Sequence, residues 1–228
     1  MLSIIIPSKN EEKYIGNLLH SIKKQCLVNY EIIIADNKST DNTLKVINQY
    51  IDELPIKIVE GGLPSVARNN GAKNAKYDLL LFIDSDIYIK NNYLIWKSIE
   101  ILKEKNLDLM TCFLNSDIIM TKIMYFFSNI FSYLSKFDKP FATTQYFLIK
   151  KDVFNQLGGF DESVMHCEDY LLSKKVHNKK FGLVWSYVYS DDRRFKKMGY
   201  INFALYFLNS ILNKNNINHF RKNINYWN

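Results

Sequence analysis

Two carboxylates that directly follow an apolar run are the clearest chemical feature of the sequence. The run is LLLFI at positions 79–83, and Asp84, Ser85 and Asp86 come next. Large apolar residues without polar alternation predict a strand that is covered on both faces. Carboxylate oxygens one residue apart can hold a divalent cation, although the pair could also only cap a turn. We expect Asp84 and Asp86 at the carboxyl edge of a sheet, where open α/β sheets bind ligands.

Polar residues also follow two earlier strand-like runs, at positions 2–6 and 31–35. If the three runs form parallel strands, their carboxyl ends meet at one edge of the sheet and bring these polar residues together. The residues concerned are Pro7, Ser8, Glu11 and Asp36. Asp36 could contact a ligand there or only cap the turn before the next helix.

Three arginines are candidates for contacts with an anionic ligand. Arg68 lies in residues 66–74, which predict a helix capped by Ser65, and it is either a solvated helix residue or a contact to a phosphate or a base. Arg193 and Arg194 follow a later predicted strand. Their cluster is either a solvated face or a clamp for a diphosphate, because the guanidinium fork matches phosphate oxygens.

A second acidic pair, Glu168 and Asp169, lies where a polar loop leads into a helix. Acidic residues there could only stabilise the helix terminus, or one could act as a general base at the rim of a pocket. His166 and Cys167 precede the pair and raise the alternative of a thiol nucleophile. We do not expect that chemistry, because no glycine-rich elbow accompanies them.

The order of predicted elements indicates an α/β fold with a mostly parallel sheet, since strands alternate with helices as far as residue 113. Beyond that residue the alternation becomes irregular. The predicted strands are 2–6, 31–35, 56–59, 79–83, 107–113, 142–149 and 181–188, and the predicted helices are 15–26, 44–51, 66–74, 93–103, 118–134, 153–157, one beginning at Glu168 and 200–212.

Two of these helices are unusually apolar. Large apolar residues fill most of the circumference of residues 118–134, with Lys122 and Lys136 near the ends. This helix either docks under the sheet or lies in a membrane interface. Residues 200–212 predict an aromatic amphipathic helix, and the asparagine-rich tail to Asn228 is predicted to fray.

Bulk properties narrow the choice of partner and compartment. The 228 residues are 47% hydrophobic and carry a net charge of +7, which favours an anionic partner. The sequence has no arginine- or lysine-rich tail that would favour nucleic acid as the partner. Three scattered cysteines, no secretion signal and no uninterrupted apolar stretch of about 20 residues favour a cytoplasmic location.

Several motifs together resemble those of the family-2 inverting glycosyltransferases, which have the GT-A fold. They are IIIPSKNE from residue 4, EIIIADNKSTD from 31, ARNNG from 67, DSD from 84, GGFDE from 158 and ED at 168. Each motif is weak alone. Their order and spacing over residues 2–200 make the resemblance specific, and it implies an α/β nucleotide-diphospho-sugar transferase fold with C-terminal amphipathic helices.

The resemblance implies a role for each candidate residue. Asp84 and Asp86 match the motif that carries Mg²⁺ or Mn²⁺ on the donor diphosphate, and Asp169, with Glu168 beside it, matches the catalytic base. The residues expected to contact the donor are Pro7, Ser8, Glu11, Asp36, Arg68, Asp84, Ser85, Arg193 and Arg194.

The implied activity is metal-dependent transfer of one sugar from a UDP- or GDP-sugar to a glycan or lipid-linked acceptor. Residues 1–113 would bind the nucleotide sugar, 114–200 would bind the acceptor and supply the base, and 201–228 would form a helix and tail. The Gln-x-x-Arg-Trp motif of processive synthases is absent, so we expect single transfers. Peripheral contact with an anionic membrane on its cytoplasmic face would suit a lipid-linked acceptor.

Two alternatives to this activity remain at the level of sequence. A nucleotidyltransferase that makes nucleotide sugars also pairs a parallel sheet with a divalent cation, but it normally has a glycine-rich loop after the first strand. Residues 7–12 contain no glycine. A catalytically inactive interaction module with the same fold is disfavoured because Asp84, Asp86 and Asp169 are all present.

Overall fold

A computed structural model describes residues 1–222 as one eight-stranded sheet with helices on both faces. The strands are β1 (Leu2–Ser8), β2 (Tyr30–Asp36), β3 (Ile56–Glu60), β4 (Leu79–Phe82), β5 (Ile87–Tyr88), β6 (Leu109–Asn115), β7 (Phe147–Lys150) and β8 (Phe181–Ser190). The helices are α1 (Ile15–Lys23), α2 (Thr43–Asn48), α3 (Pro64–Asn74), α4 (Leu94–Glu104), α5 (Ile119–Ser135), α6 (Lys151–Gln156), α7 (Glu168–Ser173), α8 (Arg193–Met198), α9 (Tyr200–Leu212) and α10 (Ile217–Phe220).

The strand order is β3-β2-β1-β4-β7-β6-β8-β5. The pairs β1–β2, β2–β3, β1–β4 and β6–β8 are parallel, and the other three are antiparallel. The predicted α/β fold with a mostly parallel sheet is therefore confirmed. The antiparallel component comes from β7, which lies between β4 and β6, and from the short edge strand β5, which the sequence pattern did not predict.

The central strands are buried on both faces, as their continuous apolar sequence predicts. Ile4 and Ile6 of β1 pack into a cluster with α1 and α4, whereas Ile5 packs into a second cluster with α3, α6 and α7. Successive side chains of a strand point to opposite faces, so each core strand serves both clusters. This double packing fixes the strand ends that carry the candidate residues.

Two predicted elements differ from the structure. The strand predicted at 142–149 is confined to Phe147–Lys150, and residues 142–146 are a buried, irregular segment that approaches α7. Ser65 does not cap α3, because that helix begins at Pro64 and Leu63 occupies the N-cap position. Proline is favoured in the first helical turn since its missing N–H needs no partner there.

The apolar helix predicted at 118–134 is present as α5, but its apolar side faces outward. Its buried residues are Thr121, Tyr125, Ser132 and Ser135. Helix α9 matches the predicted residues 200–212, and the end of the predicted tail, residues 223–228, lies outside the described residues. Over the described part of the chain, no helix is both long and apolar enough to cross a membrane.

Candidate active site

The ends of β1 and β4 and the start of α8 together form a cavity of about 530 Å³, which we call the polar cavity. It is lined by Pro7, Ser8, Lys9, Glu11, Asn37, Gly62, Leu63, Pro64, Arg68, Asp84, Ser85, Asp86, Arg193, Arg194, Lys197 and Met198. Parallel β1 and β4 end side by side, so residues more than 70 positions apart in sequence meet at one edge. Among the predicted ligand contacts, only Asp36 is outside this lining.

The carboxylate of Asp36 takes part in a turn. Its two oxygens accept hydrogen bonds from the backbone N–H and the hydroxyl of Ser39, at 2.9 and 2.6 Å. Asp36 therefore caps the turn after β2, which is the second of the two roles predicted for it from the sequence. The next residue, Asn37, lines the cavity instead. Sequence reasoning missed Asn37, although its position just beyond a buried strand was available as a signal.

Arg193 connects two carboxylates of the polar cavity. Its guanidinium donates to both oxygens of Glu11, at 2.9 and 3.0 Å, and to Asp86 Oδ2 at 3.1 Å. The guanidinium also lies 4.6 Å from the ring centre of Tyr14. Burial opposes the charged form, but these carboxylates dominate and raise the pKa of Arg193. The first turn of α8 is thereby attached to the ends of β1 and β4.

Arg68 joins the two predicted acidic pairs. It is 1% exposed, and its guanidinium donates to Asp84 at 2.7 Å and to Glu168 at 2.6 Å. The alternative of a solvated helix residue is therefore wrong. A buried guanidinium is tolerated because both of its charged partners are in contact with it. Both partners follow Arg68 in the chain, Asp84 by 16 residues and Glu168 by 100.

Asp84 and Asp86 have unequal surroundings. Asp84 is held by Arg68, and its second oxygen lies 4.0 Å from Arg194. Asp86 Oδ1 is buried and has no hydrogen-bond partner within residues 1–222. Burial raises the pKa of Asp86, partly offset by Arg194. An unpartnered buried carboxylate oxygen is costly unless a cation or donor completes it.

This geometry fits the predicted divalent cation. Residues 1–222 contain no group of three or more His, Cys, Asp or Glu side chains that could hold a metal, and Asp84 and Asp86 are the ligands that we predict within these residues. Mg²⁺ is commonly bound by one or two carboxylates while phosphate oxygens and waters complete its octahedron. Asp86, whose Oδ1 has no hydrogen-bond partner in residues 1–222, lines the polar cavity together with Arg193 and Arg194, and this arrangement matches that ligand set.

A second cavity of about 400 Å³, which we call the apolar cavity, adjoins the first, and Asp84 and Arg194 line both. Asp169 lies on its wall and is partly exposed. The backbone N–H groups of Thr144 and Tyr170 donate to its two oxygens, at 3.2 and 2.8 Å. Thr144 belongs to the segment that was wrongly predicted as a strand, so this contact was missed.

The two acidic residues at the start of α7 differ in their electrostatic partners. Glu168 is paired with Arg68, whereas Asp169 faces the apolar cavity. Burial, followed by repulsion from Glu168, raises the pKa of Asp169 to about 7, although Arg68 acts in the opposite direction. A carboxylate with such a pKa can exchange a proton near neutral pH.

The thiol alternative has no geometric support. Cys167 contacts the hydroxyl of Tyr206 at 3.1 Å, and the same hydroxyl lies 3.0 Å from Nδ1 of the fully buried His166. Burial raises the pKa of Cys167 to about 12. Because the thiolate is the nucleophilic form, this cysteine is held in its inert state.

A mixed α/β sheet whose strand ends gather carboxylates and arginines beside two adjoining cavities is typical of the GT-A, or nucleotide-diphospho-sugar transferase, fold. The sequence model of glycosyl transferase family 2 matches residues 3–160, which is more than half of the chain. The chain belongs to glycosyl transferase family 2. The family and the fold expected from the sequence motifs are both confirmed.

Curated relatives include two poly(ribitol-phosphate) glycosyltransferases. The chain is 38% identical over 98 residues to the poly(ribitol-phosphate) β-N-acetylglucosaminyltransferase TarS of Staphylococcus aureus, covering 40% of this chain and 17% of that protein. It is 39% identical over 101 residues to a poly(ribitol-phosphate) β-glucosyltransferase of Bacillus spizizenii, covering 41% and 16%. The chain thus spans about a sixth of the length of these relatives.

Solved structures share the fold over more of the chain. S. aureus TarS 1–349 in complex with UDP-GlcNAc has a TM-score of 0.66 at 23% identity, covering 83% of this chain and 58% of that one. A mannosyltransferase from Pyrobaculum calidifontis in complex with GDP-Man and Mn²⁺ has a TM-score of 0.71 at 17% identity, covering 91% and 64%.

Proposed function

We propose that this protein is an inverting glycosyltransferase that moves one sugar from a nucleoside-diphosphate sugar to an acceptor, with Asp169 as the general base. The observation that carries the proposal is the common wall of the two cavities. Asp84 and Arg194 line both, so a donor in the polar cavity would present its sugar towards Asp169 in the apolar cavity.

In the polar cavity, Pro7, Ser8 and Glu11 would hold the nucleoside, and Arg193 and Arg194 would face the diphosphate. Asp84 and Asp86 would hold Mg²⁺ or Mn²⁺, which supplies positive charge to the leaving diphosphate. Known relatives of the fold bind UDP-GlcNAc, or GDP-Man with Mn²⁺. Arginines already in place lower the barrier because they need little reorganisation when charge develops.

In the apolar cavity, Asp169 would accept the proton of an acceptor hydroxyl. The acceptor oxygen forms a bond to the anomeric carbon from the side opposite the diphosphate, and the diphosphate leaves with the bonding electrons. Attack from that side inverts the anomeric centre. An acceptor phosphate would attack without a proton to transfer. Glu168 also lines this cavity, but its carboxylate is paired with Arg68, so it would act as a positioning residue beside Asp169.

Sugar transfer accounts for the comparisons better than the alternatives do. The family match and the named curated relatives are glycosyltransferases, which favours transfer over formation of nucleotide sugars. The acceptor class is a glycan or a lipid-linked precursor of a cell-envelope polymer, in line with the polymers that two relatives modify.

We further propose that the protein acts at the cytoplasmic face of a membrane as a peripheral protein. The outward side of α5 presents large apolar residues, and cationic residues lie near its ends. An interfacial helix combines such an apolar face with cationic flanks that attract anionic lipids. The net charge of +7 acts in the same direction.

The activity is tested by nucleotide release from a panel of UDP- and GDP-sugars with Mg²⁺ or Mn²⁺. We expect slow, metal-dependent hydrolysis of one donor by the natural protein and its loss in Asp86→Asn. Asp117→Asn is the matched control, because Asp117 is exposed and pairs with Lys90 outside both cavities. If no donor is turned over and neither UDP nor GDP binds with metal present, the inactive-module alternative replaces this proposal.

A further inference from the structure

Helix α5 turns polar residues towards the protein and large apolar residues towards solvent, which is the reverse of a usual surface helix. Its inward side makes polar contacts: Asn129 exchanges two hydrogen bonds of 2.9 Å with the backbone of Leu114, and Ser132 donates to the Phe141 carbonyl at 3.0 Å. Its outward side carries Phe126 and Phe127, which are 60% and 61% exposed. A contiguous exposed apolar surface of this kind marks an interaction site.

The apolar cavity lies between α5 and α9. Phe131 of α5, Phe207 of α9 and Phe141 form one wall, with ring centres 5.0 to 6.3 Å apart. Asp169 lies on the same cavity, so an aromatic chamber leads directly to the proposed general base. Most small-molecule sites combine such apolar walls with a few convergent polar groups.

The cavity opens onto the exposed apolar surface. Phe127 of α5 and Leu208 of α9 both line the cavity, yet they are 61% and 57% exposed. A predominantly apolar path therefore leads from the outward side of α5 to Asp169, with Thr143, Thr144 and Gln145 among the polar residues of the lining. A soluble sugar acceptor would gain little from such a path, because most of its hydroxyl groups would lose their water without receiving partners.

We propose that the apolar cavity binds the hydrocarbon chain of an anionic lipid acceptor whose head group presents the attacking hydroxyl at Asp169. This assignment rests on the proposed glycosyl transfer. Charge favours this occupant, because Arg194 and Lys214 line the cavity and Lys122 lies on α5. A second copy of this chain would bring the same cations and the same net charge of +7 against them.

The site is tested by photo-crosslinking of the natural protein with a benzophenone-labelled farnesyl phosphate. We expect the label on peptides from α5 and α9, within residues 119–135 and 200–212. Unlabelled polyprenyl phosphate that displaces the probe identifies a prenyl chain, and phosphatidic acid that displaces it identifies an acyl chain. Label that neither lipid displaces, or that is spread over other helices, overturns the proposal.

Filling the cavity provides a matched pair of variants. Ala204→Trp introduces a large ring into the cavity lining, whereas Ile201→Trp places the same ring on the same helix at a residue that is 78% exposed and outside the lining. We expect about tenfold weaker labelling in the first and labelling within about twofold in the second. Equal labelling of the two overturns the proposal. Ser128→Tyr repeats the test from the α5 side if Ala204→Trp does not fold.

UDP binding with Mn²⁺, measured by calorimetry on the natural protein, separates this proposal from the proposed function. Bound UDP without specific label would remove the lipid site and leave glycosyl transfer standing. Specific label without UDP binding would remove the donor site and keep the lipid site. A dimer that occludes the cavity and is dispersed by Phe126→Glu would assign the surface to a second copy and overturn the proposal.

Discussion

The polar and apolar cavities share Asp84 and Arg194, yet they are constructed in opposite ways. The polar cavity is held by ion pairs between arginines of α3 and α8 and carboxylates that follow β1 and β4. The apolar cavity is walled by aromatic rings of two helices whose outer sides are exposed. Under the proposed function, donor binding would rely on charges that are fixed in advance, whereas acceptor binding would rely on an apolar surface that is exposed in the chain by itself.

The largest effect is expected at the residue that joins the two cavities. Arg68→Met would leave Asp84 and Glu168 buried without their cation, at a cost of about 3–5 kcal/mol in the free energy of unfolding. Urea denaturation measures this change. Arg221→Met is the control, since Arg221 is exposed. A loss below about 1 kcal/mol would show that the buried ion pairs do not stabilise the site.

Removal of the proposed base separates the two cavities functionally. Asp169→Asn should lower transfer to the acceptor by about 10²–10⁴-fold, because no general base remains. The affinity for UDP, measured by calorimetry, should change by less than about threefold, because Asp169 does not line the polar cavity. Asp117→Asn again serves as the control. Retained transfer would exclude Asp169 as the base.

The divalent-cation site predicted at Asp84 and Asp86 in the polar cavity can be tested by removal of a carboxylate or of the cation. Asp86→Asn, or chelation of divalent ions, should weaken UDP binding by about tenfold, because a carboxylate that would carry the cation is lost. Thermal shift with UDP, with and without Mn²⁺, measures the effect. Equal UDP affinity in all samples would mean that Arg193 and Arg194 hold the diphosphate without a metal.

The pH dependence of sugar transfer should be set by Asp169 in the apolar cavity. Asp169 must be deprotonated to accept a proton, so kcat/KM should rise as the pH passes through about 7, the pKa of this residue beside Glu168 and Arg68. The pKa of Asp169 is 3.8 in the unfolded chain and about 7 in the folded protein. The free energy of unfolding therefore falls as the pH rises from about 3.8 to about 7, because the folded protein resists the ionisation. Asp169→Asn should therefore be more stabilising at pH 8 than at pH 5. A flat rate profile would contradict the assignment.

The smallest effect is expected at the outer surface of α5. Phe126→Glu should weaken flotation with anionic vesicles about fivefold, since roughly 1 kcal/mol of interfacial burial is lost. Ile51→Glu makes a similar change on a distant exposed residue and should have no effect. Equal flotation of both variants would show that α5 does not contact the membrane.

The sequence identified the strand ends well because their signal is local. Asp84 and Asp86 follow an apolar run, and strand alternation places the ends of β1 and β4 together. The partners of Arg68 could not be predicted, because Glu168 is 100 residues away and no periodicity relates the two. The positions of Asp84 and Asp86 were thus predictable, whereas the pairing of Arg68 with Asp84 and Glu168 was not.

The acceptor side was harder to predict for a different reason. Apolar residues surround most of α5, so helical periodicity alone cannot identify the side that packs. The structure selects the side of Thr121, Asn129 and Ser132, whose hydrogen bonds fix the helix. Residues 142–146 read as a strand because they precede a true one, yet their backbone turns to meet Asp169.

The Arg68 contacts also determine where the chain can be truncated without loss of a buried ion pair. The family match ends at residue 160, before Glu168, so it includes Arg68 and Asp84 but not their third partner. A fragment cut there would leave one arm of a buried guanidinium without an acceptor and would expose the surface that α7 covers. The family match therefore ends before a residue that pairs with Arg68, and we expect the unit that folds to extend at least through α7.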